Sequence, residues 1–181
     1  MRLIPLALTL CCGLAVLLLA GSPTGESGTT DGGGSAARFS NPLGIALDRV
    51  GHLYVTETGN HRIRRITPDG VVSTFAGPTG TVSAGYADGP DETARFDRPF
   101  GIAVDAAGYV YVSESSGQRI RRISPGRVTA TVAGTGASAL TDGPGTTAAF
   151  RNPWGLALDA AGNLYVGDQT ALRLVQRVIG Q

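Results

Sequence analysis

Arginines and carboxylates recur along this chain at matching places, and they are the side chains best suited to chemistry. The arginines are Arg62, Arg64, Arg119, Arg121 and Arg173, and the carboxylates are Glu57, Glu114 and Asp168. A stripe of arginines could bind an anionic ligand, such as a glycan or the acidic patch of a partner. Because each group of arginines follows a carboxylate closely in sequence, we expect ion pairs inside the fold instead, with the anionic ligand as the alternative.

Side-chain oxygens offer a second kind of chemistry, the binding of a hard divalent cation. Such cations take carboxylate and amide oxygens, and the candidates are Asn41, Asn152, Glu57, Glu114 and Asp168. The set works only if the fold brings its members to one face. Arg98 aligns with the two asparagines and would repel a cation. We therefore predict no metal and no other cofactor, and keep the cation site as the alternative.

Other classes of function have little support in the sequence. His52 and His61 have no counterparts elsewhere in the chain and do not make a zinc site, and His61 is expected at the surface. After residue 22 there is no Ser-His-Asp order, cysteine or phosphate-binding glycine loop. The net charge of +1 creates no field that would gather nucleic acid. We expect a protein that is not an enzyme and does not bind nucleic acid.

The first residues predict export. Arg2 precedes an apolar run over residues 3–20, and Pro23 follows it, which is typical of a secretory signal. Residues 1–22 are therefore expected to be a signal peptide or, alternatively, a membrane anchor, and the protein to be periplasmic, secreted or at the cell surface. Both cysteines, Cys11 and Cys12, lie in this run. Residues 23–37, rich in Gly, Ser and Thr, are expected to be a flexible linker.

The remaining residues, 38–181, repeat one unit three times, with approximate bounds 38–87, 88–141 and 142–181. Phe39, Phe96 and Phe150 mark the same place in each unit. An Asp-Gly pair precedes each phenylalanine by the same distance; these pairs begin at Asp31, Asp88 and Asp142. The chain is thus expected to contain three equivalent structural units.

The pattern of apolar residues assigns each unit four strands of different depth. In the second unit, 101–104 is continuously apolar with small residues, as in a buried inner strand, and 110–112 follows after a turn. Segment 119–123 mixes arginine with isoleucine, and 128–132 alternates as a half-exposed outer strand does. With 27 glycines and 16% charged residues, the sequence predicts an all-β fold made of four-stranded antiparallel β-propeller blades.

These units resemble the NHL repeat over residues 37–178. The resemblance is carried by Pro-x-Gly-Ile-Ala-x-Asp, by Gly-x-x-Tyr-Val, and by the run Asn60-His61-Arg62-Ile63-Arg64. It implies part of a six-bladed ring that acts as a binding or scaffold surface. Lactonase-type propellers are similar in fold and hold a divalent metal in the channel, so the resemblance also gives an alternative function, a metal-dependent hydrolase.

The number of units departs from that family. The third unit stops before its outer strand. Because each blade packs against a neighbour on both sides, an open row of three blades would also leave an apolar face at either end. Three explanations are open: the chain is a fragment of a longer protein, two chains complete a ring, or a partner caps the ends. The first is preferred. The ligand is expected to be a protein or a carbohydrate bound through the loops 77–95 and 134–149, which differ between units. Phe100 and Trp154, aligned before the inner strand, are expected in the core.

Overall fold

The computed structural model describes residues 16–80 and 83–176, and β-strands dominate them. The strands are β1 Gly32–Gly33, β2 Pro42–Leu47, β3 Leu53–Glu57, β4 Arg62–Ile66, β5 Val71–Ala76, β6 Gly89–Pro90, β7 Pro99–Val104, β8 Val110–Glu114, β9 Arg119–Ile123, β10 Val128–Ala133, β11 Pro153–Leu158, β12 Leu164–Asp168 and β13 Ala171–Val175. Two short 3-10 turns, Gly34–Ala36 and Asp91–Thr93, precede β2 and β7. The all-β class predicted from the sequence is confirmed.

The strands form three antiparallel sheets of the same design. The orders are β1-β5-β4-β3-β2, β6-β10-β9-β8-β7 and β11-β12-β13. The two middle strands pair in the same register in all three sheets: Val55 faces Arg64, Val112 faces Arg121, and Val166 faces Arg173. Such repetition of one sheet is the architecture of propeller blades. We call the three sheets blades 1, 2 and 3.

Apolar side chains fill the space between neighbouring blades. Tyr54, Ile63 and Phe75 of blade 1 share one cluster with Phe96 and Ile102 of the next unit. A second cluster joins Ile120 and Ala133 of blade 2 to Phe150, Leu164 and Val166. The phenylalanine that opens a unit is therefore buried against the preceding blade. Burial of these faces is the main force that holds the blades side by side.

The inner strands approach one another closely at two glycines. A Cβ atom on Gly44 would overlap the carbonyl oxygen of Phe100, and one on Gly101 would overlap that of Trp154. A hydroxyl closes the first contact, since the Thr56 Oγ1 atom accepts from the Gly44 amide at 2.8 Å and donates to the Phe100 carbonyl at 2.7 Å. Ser113 makes the same pair of bonds in blade 2. The inner strands thus depend on small residues, as their sequence predicted.

Among the described residues, β7 of blade 2 is the one inner strand with another inner strand on both sides. Ile102 of β7 is buried, whereas the equivalent Ile45 of β2 is 62% exposed. At the other end, Leu172 of β13 is 91% exposed, although its equivalents Ile63 and Ile120 are fully buried. The apolar end faces predicted from the repeat number are therefore present in these three blades.

The segment before the first repeat, for which the sequence predicts a flexible linker at residues 23–37, makes backbone contacts with blade 1. Strand β1 pairs with β5, the Gly28 amide donates to the Phe39 carbonyl at 3.2 Å, and Ala37 is fully buried. Blade 1 consequently begins before residue 38. The composition of the segment predicts flexibility because it has few apolar side chains. The segment is bound to blade 1 through its backbone carbonyls instead.

The predicted signal or anchor lies largely outside the described residues, and so do Cys11 and Cys12. Within the described part, Gly21 packs against the ring of Phe39, and its amide donates to the Gly34 carbonyl at 3.1 Å. No helix among residues 16–80 and 83–176 has the length and apolar character needed to span a bilayer.

Candidate functional site

One arginine of each third strand lies at the centre of a buried polar network. In blade 2 the Arg121 Nη1 atom donates to both carboxylate oxygens of Glu114 at 3.2 Å. Its Nη2 atom donates to Asp88 Oδ1 at 2.6 Å and to the Ala87 carbonyl at 2.7 Å. The guanidinium also lies 5.1 Å from the centre of the Phe96 ring. Arg121 therefore ties the segment that enters the blade to the strands of the blade.

The same network occurs in all three blades, and we call it the arginine joint. Its members are Arg64, Glu57 and Asp31 in blade 1, Arg121, Glu114 and Asp88 in blade 2, and Arg173, Asp168 and Asp142 in blade 3. The ion pairs expected from the sequence are confirmed by these contacts. The Asp-Gly pairs, which the sequence showed only as recurring marks, supply the third member.

The joint removes three of the five arginines of the stripe from solvent. Arg62, Arg64 and Arg121 have no exposed area. Arg62 bonds to Glu57 at 2.6 Å and to the Thr29 carbonyl at 2.8 Å. Arg119 is partly exposed and donates to the Thr135 carbonyl at 3.0 Å. The structure thus places these arginines inside the fold or against its loops, and Arg173, on the edge strand of the described part of blade 3, is 13% exposed.

Burial of the joint has an electrostatic cost. Loss of hydration raises the pKa of Glu114 to about 7, although the Arg121 charge and the Asp97 amide oppose this shift. The same Glu114 side chain accepts from the Asp97 amide at 2.8 Å. A buried carboxylate of this kind is tolerated only while its partner remains in place.

The oxygen ligands proposed for a cation are not brought together. Glu57, Glu114 and Asp168 are buried in the arginine joints. Asn41 and Asn152 lie instead at the ends of the loops that enter β2 and β11. Within the described residues, no group of three or more His, Cys, Asp or Glu side chains could hold a metal. The geometry therefore does not favour the predicted cation set.

A different surface forms where the three inner strands begin. Asn41, Arg98 and Asn152 all have left-handed backbone, with φ of 46°, 51° and 58°. Asparagine tolerates this conformation, whereas arginine is strained in it, and strained residues often cluster at functional sites. Since each precedes a proline, the helical conformation is disfavoured there. In each blade a polar residue with this backbone therefore directly precedes the inner strand.

The residues that follow these three make an exposed apolar step. The Phe100 and Trp154 rings are stacked, with centres 6.2 Å apart and planes at 30°. Trp154 is 46% exposed and Leu43 is 52% exposed, so the expectation that the aligned aromatic residues lie in the core is wrong for Trp154. We call the surface of these side chains the axial rim; its members are Asn41, Leu43, Arg98, Phe100, Asn152 and Trp154.

Polar side chains link each blade to the rim of the next one. The Arg98 amide donates to His61 Nδ1 at 3.1 Å, and the Asn152 amide donates to Gln118 Oε1 at 2.7 Å. His61 and Gln118 have the same left-handed backbone, with φ of 49° and 55°. The sequence context of His61 predicted a surface residue. In the structure His61 instead forms a contact between blades 1 and 2.

The His61 contact predicts a loss of stability in mild acid. Burial lowers the pKa of His61, although Asp97 opposes the shift. The unfolded chain therefore takes up a proton more readily, and stability present above pH ~6.5 is lost as the pH falls through the folded pKa. His61→Gln, which reproduces the Gln118 contact, should keep that stability. Urea unfolding at pH 5 and pH 7.5 measures the free energy of unfolding of both proteins. Between these pH values the unmodified chain should lose about 1 kcal/mol more than the variant, which is the net value of one hydrogen bond. Equal pH dependence in both proteins would contradict this role.

Three equivalent antiparallel sheets, joined face to face with their inner strands adjacent, define a β-propeller protein. The family model of the NHL repeat matches residues 39–66, so the chain contains a repeat of the NHL type. It is 31% identical over 122 residues to Protein SUPPRESSOR OF QUENCHING 1, chloroplastic, of Arabidopsis thaliana, covering 65% of this chain and 11% of that protein.

The chain is also 31% identical over 144 residues to NHL repeat-containing protein 2 of Bos taurus, covering 73% of this chain and 20% of the relative. A solved protein of unknown function from Bacteroides thetaiotaomicron shares the fold with a TM-score of 0.67 and 26% identity, over 74% of this chain and 34% of that one. The chain thus spans a fifth or less of these two curated relatives.

Proposed function

We propose that the chain is a binding module whose ligand docks on the axial rim. The observation that carries the proposal is the stacked Phe100–Trp154 pair, in which Trp154 is 46% exposed, beside polar residues in left-handed backbone. Exposed aromatic side chains beside a guanidinium and amides are the composition of binding hot spots and of small-molecule sites. The ligand is a protein or a carbohydrate with a ring or apolar group that packs against the Phe100 and Trp154 rings.

The loops that differ between blades begin at the same end as the rim. Pro42 faces Glu57, Glu57 faces Arg62, and Ile63 faces Ala76, so the start of the inner strand and the end of the outer strand share one end of the blade. The loops 77–95 and 134–149 begin there. Loops of different sequence on a repeated scaffold are where specificity is usually placed, which supports this end as the ligand face.

The proposal includes export of the protein, which rests on the sequence of residues 1–22. It also includes coverage of the apolar end faces, by further blades, by a second copy or by a partner. Cell fractionation with N-terminal sequencing addresses the first point. A mature protein that retains Met1 and is found in the cytoplasm would contradict export.

Binding to panels of oligosaccharides and displayed peptides tests the rim. Arg98→Asn removes the guanidinium but keeps a residue that suits the left-handed backbone, as in blades 1 and 3. For any ligand selected from either panel, Arg98→Asn and Trp154→Leu should each weaken binding at least about tenfold, the size of a hot-spot loss.

Tyr165→Leu is the matched control, since Tyr165 is also 46% exposed but lies on the open face of blade 3. Its affinity should equal that of the unmodified chain. A ligand whose affinity is unchanged by both rim variants would place the binding site elsewhere.

A further inference from the structure

The guanidinium of Arg98 is exposed at the start of β7 and lacks a partner among the described residues. The Arg98 amide donates to His61 Nδ1, but nothing in residues 16–80 and 83–176 accepts a hydrogen bond from the side chain. Three other arginines with exposed area, Arg38, Arg119 and Arg127, each donate to a carboxylate or a carbonyl. Arginine is also poorly suited to the left-handed backbone at this position, where blades 1 and 3 have asparagine. Structural contacts therefore do not account for an arginine here.

The exposed charge beside the rim is positive. The carboxylates that end the second strands are buried and paired; they are Glu57, Glu114 and Asp168. Asp97 is 33% exposed and lies 3.9 Å from the His61 ring. Arg98 and Arg151 are both exposed, and each shortly precedes an inner strand. The opposite end of the inner strands carries the turn carboxylates, Asp48, Asp105 and Asp159. The local field therefore favours an anionic ligand at the rim end.

The rim also offers an apolar surface and free amides next to that charge. Trp154 is 46% exposed, and its ring is stacked on that of Phe100. The side chains of Asn41 and Asn152 make no hydrogen bond within the described part of the chain, although their backbones do. Arg98 precedes Phe100 by two residues, a spacing of about 7 Å along a strand, so one small rigid ligand can reach both side chains. Such a ligand needs an apolar face, groups that bond to amides, and an anion.

We propose that the axial rim binds an acidic sugar residue, a uronate, whose carboxylate pairs with Arg98. This inference rests on the proposed function and names the class of its ligand. The C–H face of the sugar ring packs against Trp154, and the ring hydroxyls bond to the amide side chains of Asn41 and Asn152. A guanidinium binds a carboxylate through two parallel hydrogen bonds, which gives both affinity and selectivity over neutral sugars. An acidic peptide carries its carboxylate on a flexible chain and loses more conformational entropy on binding.

Galacturonate, glucuronate and mannuronate are the probes, each as a single sugar and as a trimer, which separates a free sugar from a polysaccharide as the source. The methyl ester of each probe keeps the ring and the hydroxyls but removes the charge. Titration into the full chain, followed by calorimetry, should show saturable binding of at least one uronate. Its methyl ester should bind at least about tenfold more weakly, because charge-assisted hydrogen bonds are lost.

Arg98→Asn tests the protein side of the contact, since asparagine suits the left-handed backbone. In this variant the uronate should bind no more tightly than its ester binds to the unmodified chain. The ester should lose little affinity, because the two changes remove one interaction. Arg49→Asn is the matched control, since Arg49 is also exposed but lies in the turn after β2, at the opposite end of the inner strands. The same change of charge there should leave both affinities unchanged.

Absence of uronate binding, equal affinity for acid and ester, or an equal effect of Arg49→Asn and Arg98→Asn would each overturn the proposal. So would a glutamate-rich peptide that binds through Arg98 more tightly than every uronate. The comparison of acid and ester needs no altered protein and remains decisive if a variant does not fold. Such a failure leaves the rim as the binding face if Trp154→Leu still weakens the binding of a neutral sugar or a peptide. If Trp154→Leu affects no ligand, the proposed function fails as well.

Discussion

Replacing Glu57 with glutamine is expected to lower the free energy of unfolding by about 3–5 kcal/mol, the usual effect of removing one partner from a buried ion pair. Glu57 accepts from Arg62 at 2.6 Å and from Arg64 at 2.9 Å, and none of the three side chains is exposed. The variant would leave two buried guanidinium groups facing a neutral amide. If the NH₂ group of the glutamine replaced Glu57 Oε1, it would face two other donors, the Ser40 amide and the Asn60 side chain, which both donate to Glu57 in the unmodified chain. Urea unfolding at pH 7.5 measures the change.

Glu26→Gln is the control for this prediction. Glu26 also pairs with an arginine, Arg38, at 2.8 Å, but it is 63% exposed. Removing such a surface pair should change stability by no more than about 1 kcal/mol. If the two variants unfolded at the same urea concentration, the arginine joint would not hold the blade together as we describe.

Replacing Gly101 with alanine is expected to destabilise the chain by about 3 kcal/mol, at the upper end of typical overpacking costs. The added methyl group would overlap the Trp154 carbonyl oxygen and press on the Ser113 hydroxyl, so β7 and β11 would have to separate. Neither contact can be relieved by rotating a long side chain.

Gly155 occupies the same place in blade 3 and provides the matched control. An alanine Cβ there would meet nothing within 4 Å. Because alanine loses less conformational freedom than glycine in a strand, Gly155→Ala should be neutral or slightly stabilising. Thermal unfolding of both variants measures the difference. Equal destabilisation would mean that the glycines serve local strand geometry rather than the approach of neighbouring blades.

The sequence predicted the blades well because each strand carries its own pattern. The apolar inner strand with glycine, the arginine-containing third strand and the alternating outer strand all lie where the pattern placed them. Repetition made these predictions strong, since one unit supports the interpretation of the others.

The sequence misled wherever backbone atoms make the decisive contacts. Residues 23–37 are bound through carbonyl groups, such as those of Thr29 and Thr30, that accept from buried arginines. His61 is held between blades because it accepts from an amide of the next unit. Neither contact leaves a mark in composition or apolar periodicity.

The candidate site was only partly predictable. The pairing of arginines with Glu57, Glu114 and Asp168 followed from charge and spacing, and so did the asparagines at the start of the inner strands. The exposure of Trp154 did not, because an apolar residue before a buried strand usually belongs to the core. Its environment depends on contacts between blades: the Phe100 ring stacks on Trp154, whereas Trp154 itself is 46% exposed.

Fluorescence of Trp154 tests the axial rim most directly, since it is the only tryptophan in the chain. The rim predicts the emission of a water-exposed indole that acrylamide quenches freely, together with protection from quenching when a selected ligand is bound. An indole that acrylamide cannot reach in the free protein, or ligand binding that leaves the quenching unchanged, would contradict it.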